Sequence, residues 1–210
     1  MAEIEIIPAI MPESFNDLNE KYSLVKEYVT MVQIDVMDGK FVSSKNWPYT
    51  AGEIKKIDFN FEVDLMVLNP ENVIDDWIKA GAKRIIIHIE SSEKIEEVFL
   101  KIPSGVEIGI AINTETENEN IYPLIERINF VQFMGIEKIG FQGQSQDVRV
   151  LKKIADLRRK FSRVIISVDG GVNLESAPVL IQAGANRLVS GSAIFESNDI
   201  KRAIERLKNR

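Results

Sequence analysis

The stretch Gln33-Ile34-Asp35-Val36-Met37-Asp38-Gly39-Lys40-Phe41 is the part of the sequence on which the fold prediction depends. It indicates a buried strand that ends in acidic residues and then breaks at a glycine. Because successive side chains of a strand point to opposite faces, Gln33, Asp35 and Met37 share one face. Two later segments, Val63-Asp64-Leu65-Met66 and Val168-Asp169-Gly170-Gly171, end in the same way. This repetition favours a functional site over a solvated edge strand, which would also tolerate Asp and Gln.

The composition predicts one domain over residues 1–210, because a chain with 45% hydrophobic residues can fill a single large core. Its net charge of −6 offers no basic surface for nucleic acid. The chain has no cysteine, which excludes disulfides and thiolate chemistry. The N-terminus lacks the basic and apolar regions of a signal peptide, and no apolar run approaches membrane-spanning length. We therefore expect a cytoplasmic protein without nucleic-acid or membrane partners.

Short β-branched runs alternate with helical patterns along the whole chain. Three consecutive isoleucines, Ile85 to Ile87, predict a strand that is buried on both faces, as a parallel sheet requires. Besides the opening stretch, the predicted strands are Ile4–Ile10, Phe59–Val67, Arg84–Ile89, Val106–Ile112, Phe130–Met134, Val164–Val168 and Arg187–Val189.

Helices are predicted between the strands from cap residues and apolar spacing. Asn69-Pro70-Glu71 supplies a cap, an N1 proline and a first-turn acid, and Gly81 stops that helix. In a later helix we expect Val148, Leu151, Ile154 and Leu157 on the buried side. The other predicted helices begin at Ser14, near Glu53, at Ser91 or Ser92, near Asn118, at Asn173 and near Asn198, and Pro123 lies within the helix near Asn118.

Eight strands that are each followed by a helix predict an α/β fold with a single (β/α)₈ TIM barrel. The alternative is an open doubly wound sheet. No GxGxxG motif opens the first strand–helix turn. The acidic residues stand at C-terminal strand ends from strand two to strand seven, and a barrel brings these ends around one mouth. The pattern therefore favours the barrel.

The sequence resembles the ribulose-phosphate 3-epimerase family nearly from end to end. The resemblance covers six strand ends and rests on Pro8-Ala9-Ile10, Asp35-Val36-Met37-Asp38-Gly39, Leu65-Met66-Val67 with Asn69-Pro70, Ala80-Gly81-Ala82, Ile87-His88-Ile89-Glu90, Gly140-Phe141 with Gly143-Gln144, Val168-Asp169-Gly170-Gly171-Val172 and Gly191-Ser192-Ala193-Ile194-Phe195. It implies a barrel of the ribulose-phosphate-binding type. It also implies an isomerase that inverts C3 of a ketose phosphate with two aspartates and a bound divalent metal.

The residue chemistry is consistent with that activity. Epimerisation beside a ketone requires a base on one face of the carbon and an acid on the other. Asp35 and Asp169, at the ends of strands two and seven, are the predicted proton-transfer pair. The resemblance assigns metal coordination to Gln33, Asp35, Asp64 and Asp169. It also places the methionines Met37, Met66 and Met134 along the substrate site.

The metal-ligand set departs from the family pattern. The family normally offers two histidines and two aspartates, whereas this chain has Gln33 and Asp64 at the histidine positions. An all-oxygen set shifts the preference from zinc toward manganese or magnesium. We therefore expect a divalent cation with manganese or magnesium favoured.

Glycines predict the phosphate site, because a phosphate needs backbone N–H groups that a Cβ would otherwise block. Gly170-Gly171 and Gly191-Ser192 follow strands seven and eight, where barrels commonly bind phosphate, and Gly143 belongs to a loop that covers the substrate in relatives. The sole histidine, His88, ends strand four outside the matched ligand positions. We expect it to be a hydrogen-bonded neighbour of the metal ligands rather than a catalyst.

The sequence is compatible with several functions. The sequence does not separate an epimerase for D-ribulose 5-phosphate and D-xylulose 5-phosphate from one for allulose 6-phosphate. Related aldolases and decarboxylases place Asp-x-Lys-x-x-Asp on strand three, whereas Asp64 is followed here by Met66 and Asn69. A phosphosugar-binding protein with a decayed metal site is a further alternative. We predict the epimerase that interconverts D-ribulose 5-phosphate and D-xylulose 5-phosphate, with the allulose 6-phosphate epimerase and the phosphosugar-binding protein as alternatives, and we expect a homo-oligomer.

Overall fold

The eight predicted strands are present and close into a barrel. The computed structural model describes residues 4–47 and 56–208. The strands are β1 (Glu5–Ile10), β2 (Val32–Met37), β3 (Phe61–Met66), β4 (Arg84–His88), β5 (Glu107–Ile112), β6 (Phe130–Met134), β7 (Ile165–Asp169) and β8 (Arg187–Ser190). Neighbouring strands pair in sequence order, all of them parallel, and β8 pairs with β1. The predicted (β/α)₈ barrel is therefore confirmed.

Helices connect most of the strands. They are α1 (Phe15–Val25), α2 (Ile74–Ala80), α3 (Ile95–Lys101), α4 (Arg149–Lys160), α5 (Ser176–Ala183), α6 (Ser192–Phe195) and α7 (Ile200–Lys208). Ser14 caps α1 as predicted, since its hydroxyl accepts a hydrogen bond from the Asp17 N–H at 3.1 Å. The helix predicted around residues 53–57 falls mainly on residues 48–55, outside the described residues. Within residues 4–47 and 56–208, no helix is long and apolar enough to cross a bilayer.

The helix start predicted at Asn69-Pro70-Glu71 is present as a short 3₁₀ turn, but the predicted capping by the Asn69 side chain was wrong. Asn69 adopts the left-handed conformation, with φ of 57°, and its side chain makes no cap hydrogen bond. A 3₁₀ turn, Pro70–Asn72, precedes α2, which begins only at Ile74. Gly81 ends α2 with φ of 106°, which a residue without a Cβ adopts at little cost.

Other helix details also differ from the sequence prediction. Neither Ser91 nor Ser92 caps α3, because the helix begins later, after Lys94. The segment Asn118–Arg127 is a 3₁₀ helix that contains Pro123, whose ring nitrogen cannot donate a backbone hydrogen bond.

Helix α4 buries a different face near its start. Val148 lies just before the helix and is 76% exposed, so its predicted burial was wrong. Val150 is buried instead, together with Ile154 and Leu157, which continue the same helical stripe.

The hydrophobic core has two layers. Most of the apolar residues lie between the strands and the helices, and Ile85, Ile86 and Ile87 are all fully buried, as predicted. Inside the barrel, the Phe130 ring lies against Gly109, where a Cβ would collide with it. The absent side chain on β5 thus leaves room for an aromatic ring that fills the barrel centre.

Charged side chains close the end of the barrel where the strands begin. Arg84 Nη1 lies 3.1 Å from Glu5 Oε1 and 3.2 Å from Glu62 Oε2. Arg187 Nε lies 2.9 Å from Glu5 Oε2. Glu62 is fully buried, and burial raises its pKa to about 7 despite the nearby guanidinium groups. The ion pairs leave the opposite mouth, at the C-terminal strand ends, as the open end of the barrel.

Candidate active site

Strand register brings the predicted site residues together. Asp35 on β2 is the direct neighbour of Asp64 on β3, and Met37 is the neighbour of Met66. Asp169 on β7 is adjacent to Met134 on β6. Because alternate residues of each strand point into the barrel, one polar layer forms below the mouth.

The amide group of Gln33 joins the two predicted catalytic aspartates. Its Nε2 donates to Asp35 Oδ1 at 2.8 Å and to Asp169 Oδ2 at 2.7 Å. Its Oε1 is buried and has no hydrogen-bond partner within the described part of the chain. Gln33 therefore presents its nitrogen to the carboxylates in this structure, and its oxygen would have to turn before it could ligate a metal.

Asp64 is held by two further side chains. Its Oδ1 lies 3.0 Å from His88 Nε2, and its Oδ2 accepts a hydrogen bond from Gln132 Nε2 at 3.2 Å. The Gln132 oxygen in turn accepts from the Ser167 hydroxyl at 3.1 Å. Asp64, His88, Gln132 and Ser167 are all fully buried. This network fixes the orientation of the Asp64 carboxylate.

Burial and mutual repulsion shift the ionisation of the site. Burial raises the pKa of Asp35 well above its usual value, and the charges of Asp169 and Asp64 raise it further. Burial and Asp64 raise the pKa of Asp169 to about 7. For His88, burial lowers the pKa, but the charge and hydrogen bond of Asp64 outweigh it and the net shift is upward. Asp169 can thus hold or release a proton near neutral pH, and the upward shift of the Asp35 pKa favours its protonated form more than in water.

The carboxylates fit a divalent cation. Asp35, Asp64 and Asp169 each offer one oxygen, and these oxygens all lie within 4.8 Å of one another. Clustered buried carboxylates repel one another unless a proton or a cation neutralises them. Burial is the main cause of the raised pKa values of Asp35 and Asp169, and the neighbouring carboxylates raise both values further. The site can therefore hold a metal through three of the four predicted ligands as they are now oriented.

A cavity of about 160 Å³ opens above this polar layer. Asp35 and Asp169 lie on its wall, and so do Met66 and Met134. Met37 does not line the cavity: it is buried with Val42 and Met66 under the loop of residues 135–147. The predicted phosphate residues Gly143, Gly170, Gly171, Gly191 and Ser192 all line the cavity.

Two glycines at the cavity are required by their surroundings. Gly170 has φ of 96° and Gly171 has φ of 67°, which few other residues adopt. A Cβ on Gly171 would lie 2.7 Å from Gln146 Cα, so the loop after β6 packs directly on the turn after β7. The glycines thus shape the cavity wall by close approach of backbone to backbone.

The loop after β2 covers the buried network. Asp38 accepts hydrogen bonds from the Lys40, Phe41 and Leu68 N–H groups, so it orders this loop. The Phe41 ring centroid lies 5.2 Å from that of His88. The loop therefore shields the histidine from solvent.

The sequence analysis did not predict some of the residues that form the site. Gln132 and Ser167 carry the hydrogen bonds that extend from Asp64, and Gln142 reaches the cavity from the loop after β6. Gln132 is the one polar residue of the segment Phe130–Met134, and it shares a strand face with Met134. That isolated polar residue in an apolar strand was the signal that could have identified it.

Comparisons with known proteins agree with this architecture. The pattern of the ribulose-phosphate 3 epimerase family matches residues 5–195. The chain is 33% identical to ribulose-phosphate 3-epimerase from Bacillus subtilis over 98% of both sequences. It is 31% identical to ribulose-phosphate 3-epimerase from Schizosaccharomyces pombe, covering 100% of this chain and 94% of that protein.

A solved structure shares the fold. KGPDC from Streptococcus mutans superposes with a TM-score of 0.73 at 11% identity, covering 99% of this chain and 96% of that one. At this identity the likeness concerns the fold alone.

The fold and the site define a class of protein: a (β/α)₈ barrel with a buried carboxylate cluster at a glycine-walled cavity. More particularly, the chain belongs to the ribulose-phosphate 3-epimerase family. The predicted membership in a family of isomerases is confirmed.

Proposed function

We propose that this protein interconverts D-ribulose 5-phosphate and D-xylulose 5-phosphate by proton transfer at C3. The observation that carries the proposal is the pair Asp35 and Asp169, which stand on different strands and share the donor Gln33 at one cavity. The names of the curated relatives support the same reaction.

The two aspartates would share the proton transfer. One carboxylate removes the C3 proton, which leaves an enediolate across C2 and C3, and the other carboxylic acid returns a proton to the opposite face. The upward pKa shifts of Asp35 and Asp169 favour a pair that keeps a proton on one carboxyl group while the other is ionised. In the reverse direction the two side chains exchange roles, so the proton count is conserved.

A divalent cation would be held by Asp35, Asp64 and Asp169, with Gln33 as a fourth ligand after its amide turns. When bound, it supplies a Lewis acid that stabilises negative charge on the sugar oxygens. Hard oxygen ligands favour manganese or magnesium over zinc. His88 and Gln132 keep Asp64 oriented toward the cluster.

The substrate would lie with its phosphate at Gly143, Gly170, Gly171, Gly191 and Ser192 and its carbons against Met66 and Met134. Met66 occupies the position where related aldolases and decarboxylases require a lysine, so the cavity wall is apolar at this point. This placement leaves C3 toward Asp35 and Asp169.

The test is proton exchange at C3. Ribulose 5-phosphate is incubated with the protein in deuterated water, with manganese, magnesium or zinc, and label at C3 and xylulose 5-phosphate are measured by NMR. We expect both. If ribulose 5-phosphate binds without incorporating label, a phosphosugar-binding protein is supported instead. A parallel incubation uses allulose 6-phosphate, and label in that sugar alone would identify a hexulose phosphate as the substrate. A homo-oligomer and a cytoplasmic location stay predictions, and gel filtration tests the first.

A further inference from the structure

The side chain of Gln142 has a position that the reaction described above does not use. Gln142 lies in the loop after β6, yet its amide group rests against Gly191 at the end of β8. A Cβ on Gly191 would collide with Gln142 Nε2 and would lie 2.9 Å from Gln142 Cδ. The loop therefore reaches across the cavity mouth, and Gly191 provides the space for this one amide group.

In the part of the chain that the structure describes, the two N–H donors of this amide have no acceptor. Among residues 4–47 and 56–208, the Gln142 side chain has no hydrogen-bond partner. Its neighbour Gln144 differs, because its Nε2 donates to Lys138 O at 2.6 Å and to Phe141 O at 3.0 Å. Gln144 thus orders the loop, whereas the amide of Gln142 remains available to a ligand.

The charges around the cavity explain why such an amide matters. Among the described residues that line it, none is Lys, Arg or His, and Asp35 and Asp169 lie on the same wall. An anionic group is repelled by these carboxylates, so it is most favourable at the glycine-rich end. There it meets neutral donors only, such as backbone N–H groups and the Ser192 hydroxyl. An exposed amide at that end adds two donors that glycine backbone cannot supply.

We propose that Gln142 binds the phosphate of the substrate through its side-chain Nε2 and so determines the preference for a phosphorylated sugar. This inference rests on the proposed function. It concerns positioning: Gln142 is at the Gly191 end of the cavity, and the proton transfer stays with Asp35 and Asp169.

The experiment compares Gln142→Ala and Gln142→Glu with wild type, and exposed Gln182→Ala on α5 is the matched control. Two quantities are measured: the kcat and KM of ribulose 5-phosphate epimerisation, and the dissociation constant of inorganic phosphate by calorimetry. Losing a hydrogen bond to a charged group should raise both KM and the phosphate dissociation constant about tenfold in Gln142→Ala. Gln142→Glu should weaken both further, because its carboxylate repels phosphate. In Gln142→Ala, kcat should stay within about twofold, and Gln182→Ala should match wild type.

Three outcomes would overturn the inference. One is unchanged phosphate affinity in both Gln142 variants. Another is tighter binding in Gln142→Ala, which would mean that the amide blocks the cavity. The third is a loss in kcat with an unchanged KM, which indicates a role in loop closure. Calorimetry does not depend on turnover, so a wild-type protein that fails to exchange C3 protons refutes the proposed function while the phosphate comparison still decides the role of Gln142.

Discussion

Gln33 and Asp169 are separated by 136 positions in the sequence, yet Gln33 Nε2 lies 2.7 Å from Asp169 Oδ2. The same nitrogen donates to Asp35, so one amide holds two carboxylates that would otherwise repel each other. The contact therefore couples the geometry of the proton-transfer pair to the stability of the barrel.

We expect Gln33→Leu to lower the free energy of unfolding by about 1–3 kcal/mol, because two carboxylates lose their buried donor. It should also reduce C3 exchange, since Asp35 and Asp169 are no longer held together. The measurement is urea denaturation in chelator-treated buffer at neutral pH. Gln182→Leu, on the exposed face of α5, is the control and should match wild type. An unchanged denaturation midpoint in Gln33→Leu would show that the hydrogen bonds from Gln33 to Asp35 and Asp169 do not stabilise the fold.

Asp35→Asn and Asp169→Asn should each lower C3 exchange by at least about a hundredfold, because an amide cannot take or return the proton. The substitutions keep the side-chain shape, so the circular dichroism spectrum should stay that of the folded protein. Deuterium incorporation at C3 is the readout, and exposed Asp75→Asn on α2 serves as the control. Turnover at the wild-type rate in either variant would remove that aspartate from the proposed mechanism.

Metal binding should stabilise the fold, because a cation offsets the repulsion among Asp35, Asp64 and Asp169. Free metal at a hundredfold excess over its dissociation constant adds about 2.7 kcal/mol, which raises the melting midpoint by a few degrees. Manganese or magnesium should raise it more than zinc does. Asp64→His should shift the preference toward zinc by adding a nitrogen ligand. Thermal melts after chelator treatment measure both effects, and a midpoint that no divalent ion moves would contradict the metal assignment.

Arg84 should contribute strongly to stability at the closed end of the barrel. Arg84→Met leaves Glu62 buried beside Glu5 without the guanidinium, and breaking a buried ion pair in this way costs about 3–5 kcal/mol. Arg127→Met is the matched control, because Arg127 pairs with Glu96 on the surface at 2.6 Å and should change stability far less. Chemical denaturation compares the two. Equal effects would mean that burial does not distinguish these ion pairs.

We expect Lys153 to make the free energy of unfolding depend on pH. It donates hydrogen bonds to the Asn113 and Thr116 carbonyls. Burial lowers its pKa to about 8 from 10.5, against the raising effect of Glu90 and Glu117. Between these values the unfolded chain binds more protons than the folded protein, so this group makes stability rise as pH increases from about 8 to 10.5.

The melting midpoint of wild type relative to Lys153→Met should therefore increase across that window. Lys152→Met, on the exposed side of α4, should leave the rise in place. If the melting midpoints of wild type and Lys153→Met differ by a constant amount from pH 8 to 10.5, the lowered pKa of Lys153 is contradicted.

Local sequence was sufficient for the strands and for most of the site. The alternation of Gln33, Asp35 and Met37 predicted one inward face, and the run Ile85 to Ile87 predicted burial on both faces. These features depend on the period of two in a strand and on apolar burial, which act over a few neighbouring residues. The Asn69 and Val148 predictions were wrong because the exact start of a helix depends on how the adjoining loop packs.

Contacts across the barrel were decided only by the tertiary structure. The donation from Gln33 to Asp169 and the place of Gln142 on Gly191 join elements far apart in the sequence. For His88 the sequence predicted a hydrogen bond to a metal ligand, but only the pairing of β3 with β4 identifies Asp64 as its partner. These contacts depend on strand register and on barrel closure, which set the distance between side chains on different strands. A sequence pattern specifies which face a residue occupies, but only the closed barrel determines which polar group that residue meets there.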